Sequence, residues 1–198
     1  MQASDQELMK NVREGDEMAL EQLIRRHGSD LLGYLFRMTS DRPQAEDLVQ
    51  EAFIRVYTKA RSYTLRRPFK PWLYAIATRL ALDFLRGRSR HPAPASLDAA
   101  EEAGAPLGDA VTNGSPSPAD AAESADTRKE VRVAISKLPP RQRATLNLAY
   151  FEGLTYPEVA KVMRCSVGTV KTQMSRALRA LARILPDADT LGVPGGVS

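Results

Sequence analysis

The segment from residue 91 to residue 127 constrains this 198-residue chain more than any other feature, because it cannot build a folded core. It contains 11 Ala and 5 Pro, but no aromatic residue and no Lys or Arg. Such a composition buries too little apolar surface to offset the entropy lost on ordering, so we predict a flexible linker. Its ends would lie roughly 30–35 Å apart on average and about 120 Å apart when stretched. We therefore expect two folded units, 1–90 and 128–185, and a disordered tail, 186–198.

The formal net charge of +4 conceals four blocks of alternating sign. Residues 1–53 carry a net charge of −5 and residues 54–90 a net charge of +9. Residues 91–127 carry −7 and residues 128–198 carry +7. Two basic blocks on either side of an acidic spacer predict two contacts with a polyanion such as nucleic acid. Solvated helix faces would produce the same pattern, so charge alone leaves both interpretations open.

Several classes of protein are disfavoured by what the sequence lacks. Cys165 is the only cysteine, and His27 and His91 are the only histidines, so neither a disulfide framework nor a metal site is expected. No apolar run approaches the roughly 18 residues that cross a bilayer, and the first residues show no signal-peptide pattern. No nucleophile–base pairing or phosphate-binding glycine loop is found. We expect a cytoplasmic protein with no catalytic residues, no metal and no cofactor.

Both folded units are predicted to be all-α, because apolar residues recur at helical spacing and no alternating strand pattern is found. Capping signals mark three helix starts: Ser4 with Glu7, Asp16, and Asp41 followed by Pro43. In the first unit the predicted helices end near Gly15, Thr39, Lys59 and Gly87. In the second unit they cover about 127–137, 140–151, 156–163 and 167–184. The expected fold is an N-terminal helical bundle joined by the linker to a C-terminal helix-turn-helix domain.

The third predicted helix carries one apolar side chain on its polar face. Its core stripe is formed by Ala45, Leu48, Val49, Ala52 and Val56. On the opposite face Asp47, Gln50 and Glu51 surround Ile54, an apolar side chain that points away from the core. From the pattern alone, a solvated face with one stray apolar residue is the favoured interpretation. A docking surface for a protein partner is the alternative.

The fourth predicted helix aligns basic residues and one aromatic along a narrow face: Trp72, Arg79, Asp83, Arg86 and Arg90. The preceding loop adds more residues of both kinds: Arg61, Tyr63, Arg66, Arg67, Phe69 and Lys70. Guanidinium groups neutralise phosphates and aromatic rings stack on unpaired bases, so the combination predicts binding of a nucleic-acid strand. In the alternative interpretation, Asp83 pairs with Arg79 and Arg86 on an ordinary helix surface.

Residues 154–176, LTYPEVAKVMRCSVGTVKTQMSR, predict two helices joined by a three-residue turn. Thr155 with Glu158 forms a capping box, Pro157 suits a first helical turn, and Ser166 can cap the second helix. The second helix has an apolar stripe for the core: Val167, Val170, Met174, Leu178, Leu181 and Leu185. Its opposite face carries Thr172, Arg176, Arg179 and Arg183. This pattern predicts a helix-turn-helix with a basic recognition helix, and an ordinary helical hairpin is the alternative.

Taken together, these segments resemble bacterial sigma factors of the sigma-70 superfamily, of the extracytoplasmic-function type. The resemblance is carried by QAEDLVQEAFIRVY (44–57), PFKPWLYAIATRLALDFLRGR (68–88) and ISKLPPRQRATLNLAYFEGLTYPEVAKVMRCSVGTVKTQMSRALRAL (135–181). It implies a factor that binds core RNA polymerase, directs it to promoters and helps to open them. A stand-alone helix-turn-helix regulator that binds duplex DNA without polymerase is the alternative function, although no dimerisation helix is evident.

The resemblance also implies roles for individual residues. The third helix would bind core polymerase through Asp47, Leu48, Gln50, Glu51 and Ile54. The promoter −10 element would be held by Arg61, Tyr63, Arg66, Arg67, Lys70, Trp72, Arg79, Asp83, Arg86 and Arg90. The −35 element would be read by Thr155, Ser166, Gly168, Thr169, Lys171, Thr172, Ser175, Arg176 and Arg179. The implied partners are the β′ and β subunits of core polymerase, promoter DNA and an anti-sigma factor.

Three positions depart from the family pattern. Arg79 stands where many relatives carry Asn, and Gln173 stands where a basic residue is frequent. Arg164 stands in the helix-helix turn where Gly is frequent. A left-handed backbone at that position would cost an Arg about 1 kcal/mol relative to Gly.

Overall fold

The computed structural model describes residues 3–90 and 130–185. Within these two ranges the regular structure is helical and no strand is found, so the all-α prediction is confirmed. The predicted linker, 91–127, and the predicted tail, 186–198, lie outside the described residues.

Four helices form the N-terminal bundle: α1 (Asp5–Arg13), α2 (Glu17–Thr39), α3 (Arg42–Thr58) and α4 (Phe69–Arg90). The predicted caps are present, because Ser4 and Glu7 form a capping box and Asp16 accepts a hydrogen bond from the backbone N–H of Ala19 at 3.1 Å. Asp41 accepts one from the N–H of Gln44 at 3.1 Å. The predicted end of α4 at Gly87 was wrong, since an exposed helical Gly weakens a helix by about 1 kcal/mol without stopping it.

The bundle core contains a polar pair that fixes α2 against α4. The hydroxyl groups of Tyr34 and Thr78 are hydrogen-bonded at 2.7 Å, and both residues are buried. The ring of Tyr34 meets the ring of Tyr74 edge-on, with centroids 5.1 Å apart. Burial removes the Tyr34 hydroxyl from water and disfavours its charged form, so the pKa of Tyr34 is well above its ordinary value. These contacts give α4 one fixed rotation about its axis, which determines the face that it shows to solvent.

His27 joins α1 to α2 at the surface of the bundle. Its Nε2 lies 2.8 Å from a carboxylate oxygen of Asp5, and its ring lies 5.2 Å from that of Phe69. The prediction that His27 packs rather than binds a ligand is consistent with this position. The sequence pattern did not reveal that Asp5 would be its partner.

The second half contains helix α5 (residues 130–136), α6 (Pro140–Leu146), α7 (Tyr156–Met163) and α8 (Val167–Ile184). A π-helical turn over Asn147–Phe151, which is wider than an α-helical turn, continues α6. Helices α5, α6 and α8 enclose a small apolar cluster that includes Ile135, Leu146 and Leu181. The bounds predicted for α7 and α8 from their capping residues are confirmed.

The two halves pack directly against one another. Helix α7 lies on α4, and Val159, Ala160 and Met163 join the buried apolar cluster of the N-terminal bundle. Arg143 of α6 is buried and donates a hydrogen bond to the main-chain oxygen of Met38 at the end of α2. The structure therefore brings the two predicted units together into one body.

Candidate nucleic-acid and partner interfaces

Helix α3 presents an acidic face with an apolar centre. The side chain of Ile54 is 57% exposed and that of Tyr57 is 44% exposed, while Asp47 and Gln50 are exposed beside them. Glu51 accepts a hydrogen bond from Arg55 at 2.7 Å. We call Asp47, Gln50, Glu51, Ile54 and Tyr57 the docking face. Tyr57 was not predicted, although its spacing of three residues from Ile54 places it on the same side of the helix.

Leu48 does not belong to the docking face. It was predicted both as a member of the core stripe and as a polymerase contact, and only 7% of its surface is exposed. Its side chain packs in the bundle core, where it holds α3 in place. Leu48 therefore supports the docking face from behind.

Helix α4 exposes a charged stripe with alternating signs. Asp83 lies between two arginines, 3.9 Å from Arg79 Nε and 3.1 Å from Arg86 Nη1. All three side chains are more than half exposed, so such ion pairs contribute little to stability. The two arginines can therefore exchange Asp83 for another anion at little cost. The side chain of Arg90 lies outside the described residues.

The loop before α4 is built on an aromatic cluster. The ring centroid of Tyr63 is 4.9 Å from that of Trp72 and 6.2 Å from that of Phe69. Tyr63 and Phe69 are buried, and the Tyr63 hydroxyl donates a hydrogen bond to the main-chain oxygen of Arg67. Burial raises the pKa of the Tyr63 hydroxyl. Tyr63 thus shapes the loop, and the prediction that its ring stacks on an unpaired base does not fit its buried position in this conformation.

The basic side chains of the same loop point outward. Arg61, Arg66 and Arg67 are exposed, and Trp72 is half-buried at their edge. Lys70 is different, because its ammonium group lies 2.8 Å from the main-chain oxygen of Glu152 in the second half of the chain. The loop therefore adds exposed basic side chains at the start of α4, and Lys70 is held against the second half of the chain.

The turn between α7 and α8 has the geometry that the sequence predicted. Glu158 accepts hydrogen bonds from the N–H and the hydroxyl of Thr155, at 2.9 and 2.7 Å. These bonds lower the pKa of the Glu158 carboxyl, with the side-chain bond contributing most. Arg164 adopts the left-handed conformation, with φ 51° and ψ 52°. Ser166 Oγ accepts a hydrogen bond from the N–H of Thr169 at 3.1 Å and begins α8.

Helix α8 separates a buried face from an exposed face. Val170 is buried in the apolar cluster shared with the N-terminal bundle, and Met174 and Ala177 are buried in the cluster of the second half. Val167, predicted for the core stripe, is 38% exposed because it is the first residue of α8. The predicted −35 contacts are all exposed: Thr155, Ser166, Gly168, Thr169, Lys171, Thr172, Ser175, Arg176 and Arg179. Thr172 Oγ1 donates a hydrogen bond to the main-chain oxygen of Gly168 at 3.0 Å. Gln173 is half-buried beside this surface.

Two kinds of site are absent from the residues that the structure describes. Over residues 3–90 and 130–185 no group of three or more His, Cys, Asp or Glu is arranged to hold a metal ion. None of the helices within the same two ranges is long and apolar enough to span a membrane. Cys165 lies half-buried in the turn before α8, packed against the apolar cluster.

The fold and these surfaces define a helix-turn-helix protein of the kind that binds DNA, with a separate face suited to a protein partner. Residues 23–91 match the family model Sigma-70 region 2, and residues 128–181 match the family model Sigma-70, region 4. The chain therefore belongs to the sigma-70 family of RNA polymerase sigma factors, in its extracytoplasmic-function (ECF) branch.

Relatives cover nearly the whole chain. The RNA polymerase sigma-H factor of Pseudomonas aeruginosa is 36% identical over 184 residues, which are 93% of this chain and 95% of that protein. The ECF RNA polymerase sigma factor SigW of Bacillus subtilis is 31% identical over 179 residues, 90% of this chain and 95% of that protein. The fold is shared with the sigma factor RpoE of Bartonella quintana, solved with the anti-sigma factor NepR. That match has a TM-score of 0.61 at 22% identity and covers 84% of this chain and 96% of that one.

Proposed function

We propose that this chain binds core RNA polymerase through the docking face of α3 and directs it to promoters. It reads the −10 element with the loop before α4 and the charged stripe of α4, and it reads the −35 element with α8. The proposal rests chiefly on one observation, the presence in a single chain of an exposed basic recognition helix and a separate acidic docking face. Residues 1–90 and 128–185 act as the two functional domains, joined by residues 91–127.

Contacts with DNA follow from the chemistry of the exposed groups. A helix of this size fits the major groove, where Arg and Lys donate to guanine and Thr methyl groups touch thymine. Lys171, Thr172 and Arg176 supply these groups on one side of α8. The arginines of the loop neutralise phosphates of a separated strand, and the half-buried Trp72 is available to stack on an unpaired base. The protein has no catalytic chemistry of its own and acts in the cytoplasm.

Transcription with purified core polymerase tests the proposal directly. We expect a promoter-dependent transcript from genomic fragments when the protein is added, and specific binding of promoter DNA only when core polymerase is present. A tight gel shift on duplex DNA by the protein alone, with no effect on transcription, would instead indicate a stand-alone regulator. No transcript from any fragment would exclude a sigma factor.

The docking face has its own test. The substitution Ile54→Asp places a charge at the apolar centre of the face, and we expect core binding to weaken by roughly tenfold or more. Ile24→Asp is the matched control, because Ile24 is 39% exposed on α2 and lies outside the docking face. Both variants should retain the far-ultraviolet circular dichroism of the native protein. Equal affinity of the two variants in a core-binding titration would contradict the assignment.

An anti-sigma factor is the second partner that we propose. It is supported by the shared fold with a sigma factor that was solved in complex with one. The mixed acidic, basic and apolar surface of α3 and α4 would suit such a protein. Affinity purification from native cells should recover a further protein in addition to the polymerase subunits, and recovery of polymerase subunits alone would count against it.

A further inference from the structure

A buried carboxylate joins the two halves of the protein. Glu152 is only 7% exposed, and its Oε1 accepts a hydrogen bond from Arg37 Nη2 at 2.6 Å. Its Oε2 accepts one from the hydroxyl of Tyr74 and lies 3.7 Å from the ammonium of Lys70. Arg37, Lys70 and Tyr74 all belong to the N-terminal bundle. We call these three residues the acid socket, because together they hold one acidic group.

The local backbone places Glu152 in the acid socket. The wide turn Asn147–Phe151 ends with a hydrogen bond from the N–H of Glu152 to the main-chain oxygen of Asn147, at 3.1 Å. Gly153 then reverses the chain with φ +67°, a value that side-chain-bearing residues rarely adopt. The guanidinium of Arg37 also lies 4.6 Å from the centre of the Phe151 ring. Wide turns of this kind are rare and often mark functional positions.

The acid socket has the chemistry of a phosphate site. An Arg, a Lys and a hydroxyl that converge on a carboxylate would hold a phosphate oxygen equally well. Lys70 is the second residue of α4, so the acid socket borders the basic loop that contains Arg66 and Arg67. Under the proposed function, that loop holds the −10 strand. Glu152 therefore occupies a cationic site at the edge of the DNA-binding surface.

Some buried polar atoms at the contact between the halves have no hydrogen-bond partner in the described part of the chain. They are Arg37 Nε, Arg143 Nε and Asn147 Oδ1. Arg37 and Arg143 contact the opposite half of the protein, and Asn147 donates only a weak 3.7 Å bond to Met38 Sδ. Unpaired buried polar groups oppose burial and favour exposure to water. Such a contact is suited to opening and closing.

Promoter reading requires the halves to separate. Elements centred at −10 and −35 are 25 base pairs apart, which is about 85 Å along B-DNA. A compact body of this size has a radius of gyration of about 15 Å, so it measures roughly 40 Å across. The closed arrangement cannot reach both elements. Separation withdraws Glu152 and leaves the acid socket empty beside the promoter strand.

We propose that the acid socket is a phosphate-binding site for the −10 strand, and that Glu152 occupies it in the closed protein as an internal substitute for that phosphate. This inference rests on the proposed function. Domain closure and strand binding then compete for Arg37 and Lys70. We therefore expect the free protein to bind single-stranded DNA weakly, because Glu152 already occupies the acid socket. Removal of the Glu152 charge should strengthen that binding.

Binding of a fluorescein-labelled, mixed-sequence single-stranded dodecamer to the full chain tests the competition. Glu152→Gln should bind roughly threefold more tightly or better than the native protein, and its dependence of log affinity on log salt should be about one unit steeper. Glu130→Gln is the matched control, because it removes the same charge from an exposed position in the same half. Equal affinities and slopes for the two variants would overturn the proposal.

A substitution in the N-terminal bundle distinguishes the effect of opening from the effect of phosphate binding. Arg37→Gln also breaks the ion pair, but it removes a ligand from the acid socket as well. Both Glu152→Gln and Arg37→Gln should raise the radius of gyration in solution scattering by roughly 5 Å. Only Glu152→Gln should bind the dodecamer more tightly. An unchanged radius of gyration in both variants, with native circular dichroism, would show that Glu152 does not hold the two halves together.

Failure of the acid-socket proposal can be distinguished from failure of the proposed function by transcription with core polymerase. If Glu152→Gln supports transcription with core polymerase but gains no DNA affinity, the acid-socket proposal is wrong and the proposed function stands. If neither the native protein nor the variant yields a transcript, the proposed function itself fails.

Discussion

Arg164 offers a quantitative test of the turn that sets the angle between α7 and α8. Its backbone is left-handed, with φ 51° and ψ 52°, and its side chain is exposed. That conformation costs a residue with a Cβ atom about 1–2 kcal/mol, and Gly escapes the cost. Gly in turn loses about 0.5–1 kcal/mol more backbone entropy on folding. The variant Arg164→Gly should therefore be more stable than Arg164→Ala by about 0.5–1 kcal/mol.

The comparison of Gly with Ala isolates the backbone, because both variants lose the same charge near the end of α7. Lys161 supplies the control within the same helix, since it is exposed and lies inside α7. There Gly should be less stable than Ala by about 1 kcal/mol. Urea unfolding followed by circular dichroism measures both differences in the free energy of unfolding. If the Gly variant were the less stable one at both positions, the left-handed turn would be wrong.

Two further predictions concern the helix-turn-helix. Arg176→Ala should lower −35-dependent initiation by the equivalent of about 1–3 kcal/mol. Arg183→Ala, at the exposed end of α8, is the control and should not lower it. Run-off transcription compares the two variants, and equal transcript levels would refute the Arg176 assignment. Glu158 has a lowered pKa in the folded protein, so its stabilising contribution is complete above the unfolded value near 4.5 and is lost as the pH falls through the folded pKa. The stability difference between the native protein and Glu158→Gln should therefore shrink with acidification, and a constant difference in urea unfolding between pH 7 and pH 3 would contradict this.

The helix-turn-helix was predictable from the sequence because its determinants are local. Thr155, Glu158 and Ser166 make hydrogen bonds within three residues, so the chain order alone specifies where α7 and α8 begin. The conformation of Arg164 was not settled by the sequence: the cost of a left-handed Arg suggested a slightly different turn, yet the residue is left-handed, with φ 51° and ψ 52°. Helical spacing placed the predicted −35 residues of α8 on its exposed side. It failed at Val167, which was predicted for the core stripe but is 38% exposed at the start of the helix.

The sequence was less informative where burial depends on neighbouring elements. Tyr63 was grouped with exposed aromatic residues, but it is enclosed by Phe69 and Trp72 of the following helix. Leu48 was counted on two surfaces, and packing assigns it to the core. Spacing along one helix cannot show which of its side chains another element covers, because that depends on how the elements pack.

The role of Glu152 was not predictable at all from spacing. Its partners Arg37 and Tyr74 lie 115 and 78 positions away in the sequence, across the segment predicted as a linker. The wide turn before it also changes the helical phase, so a count of 100° per residue misplaces its side chain. The one available signal was that Glu152 is a rare acid in a strongly basic block.

The closed arrangement leaves two of the three proposed binding surfaces accessible. The docking face on α3 and the recognition face on α8 are exposed while the halves are packed together, and only the acid socket is occupied. If α3 is the polymerase contact, as we propose, core polymerase can reach Ile54 and its acidic neighbours without any prior opening. A partner that binds the open form more tightly shifts the equilibrium by that difference in affinity. Under the proposed function, docking does not require prior opening, and once the halves have separated on the polymerase a promoter strand can take the place of Glu152.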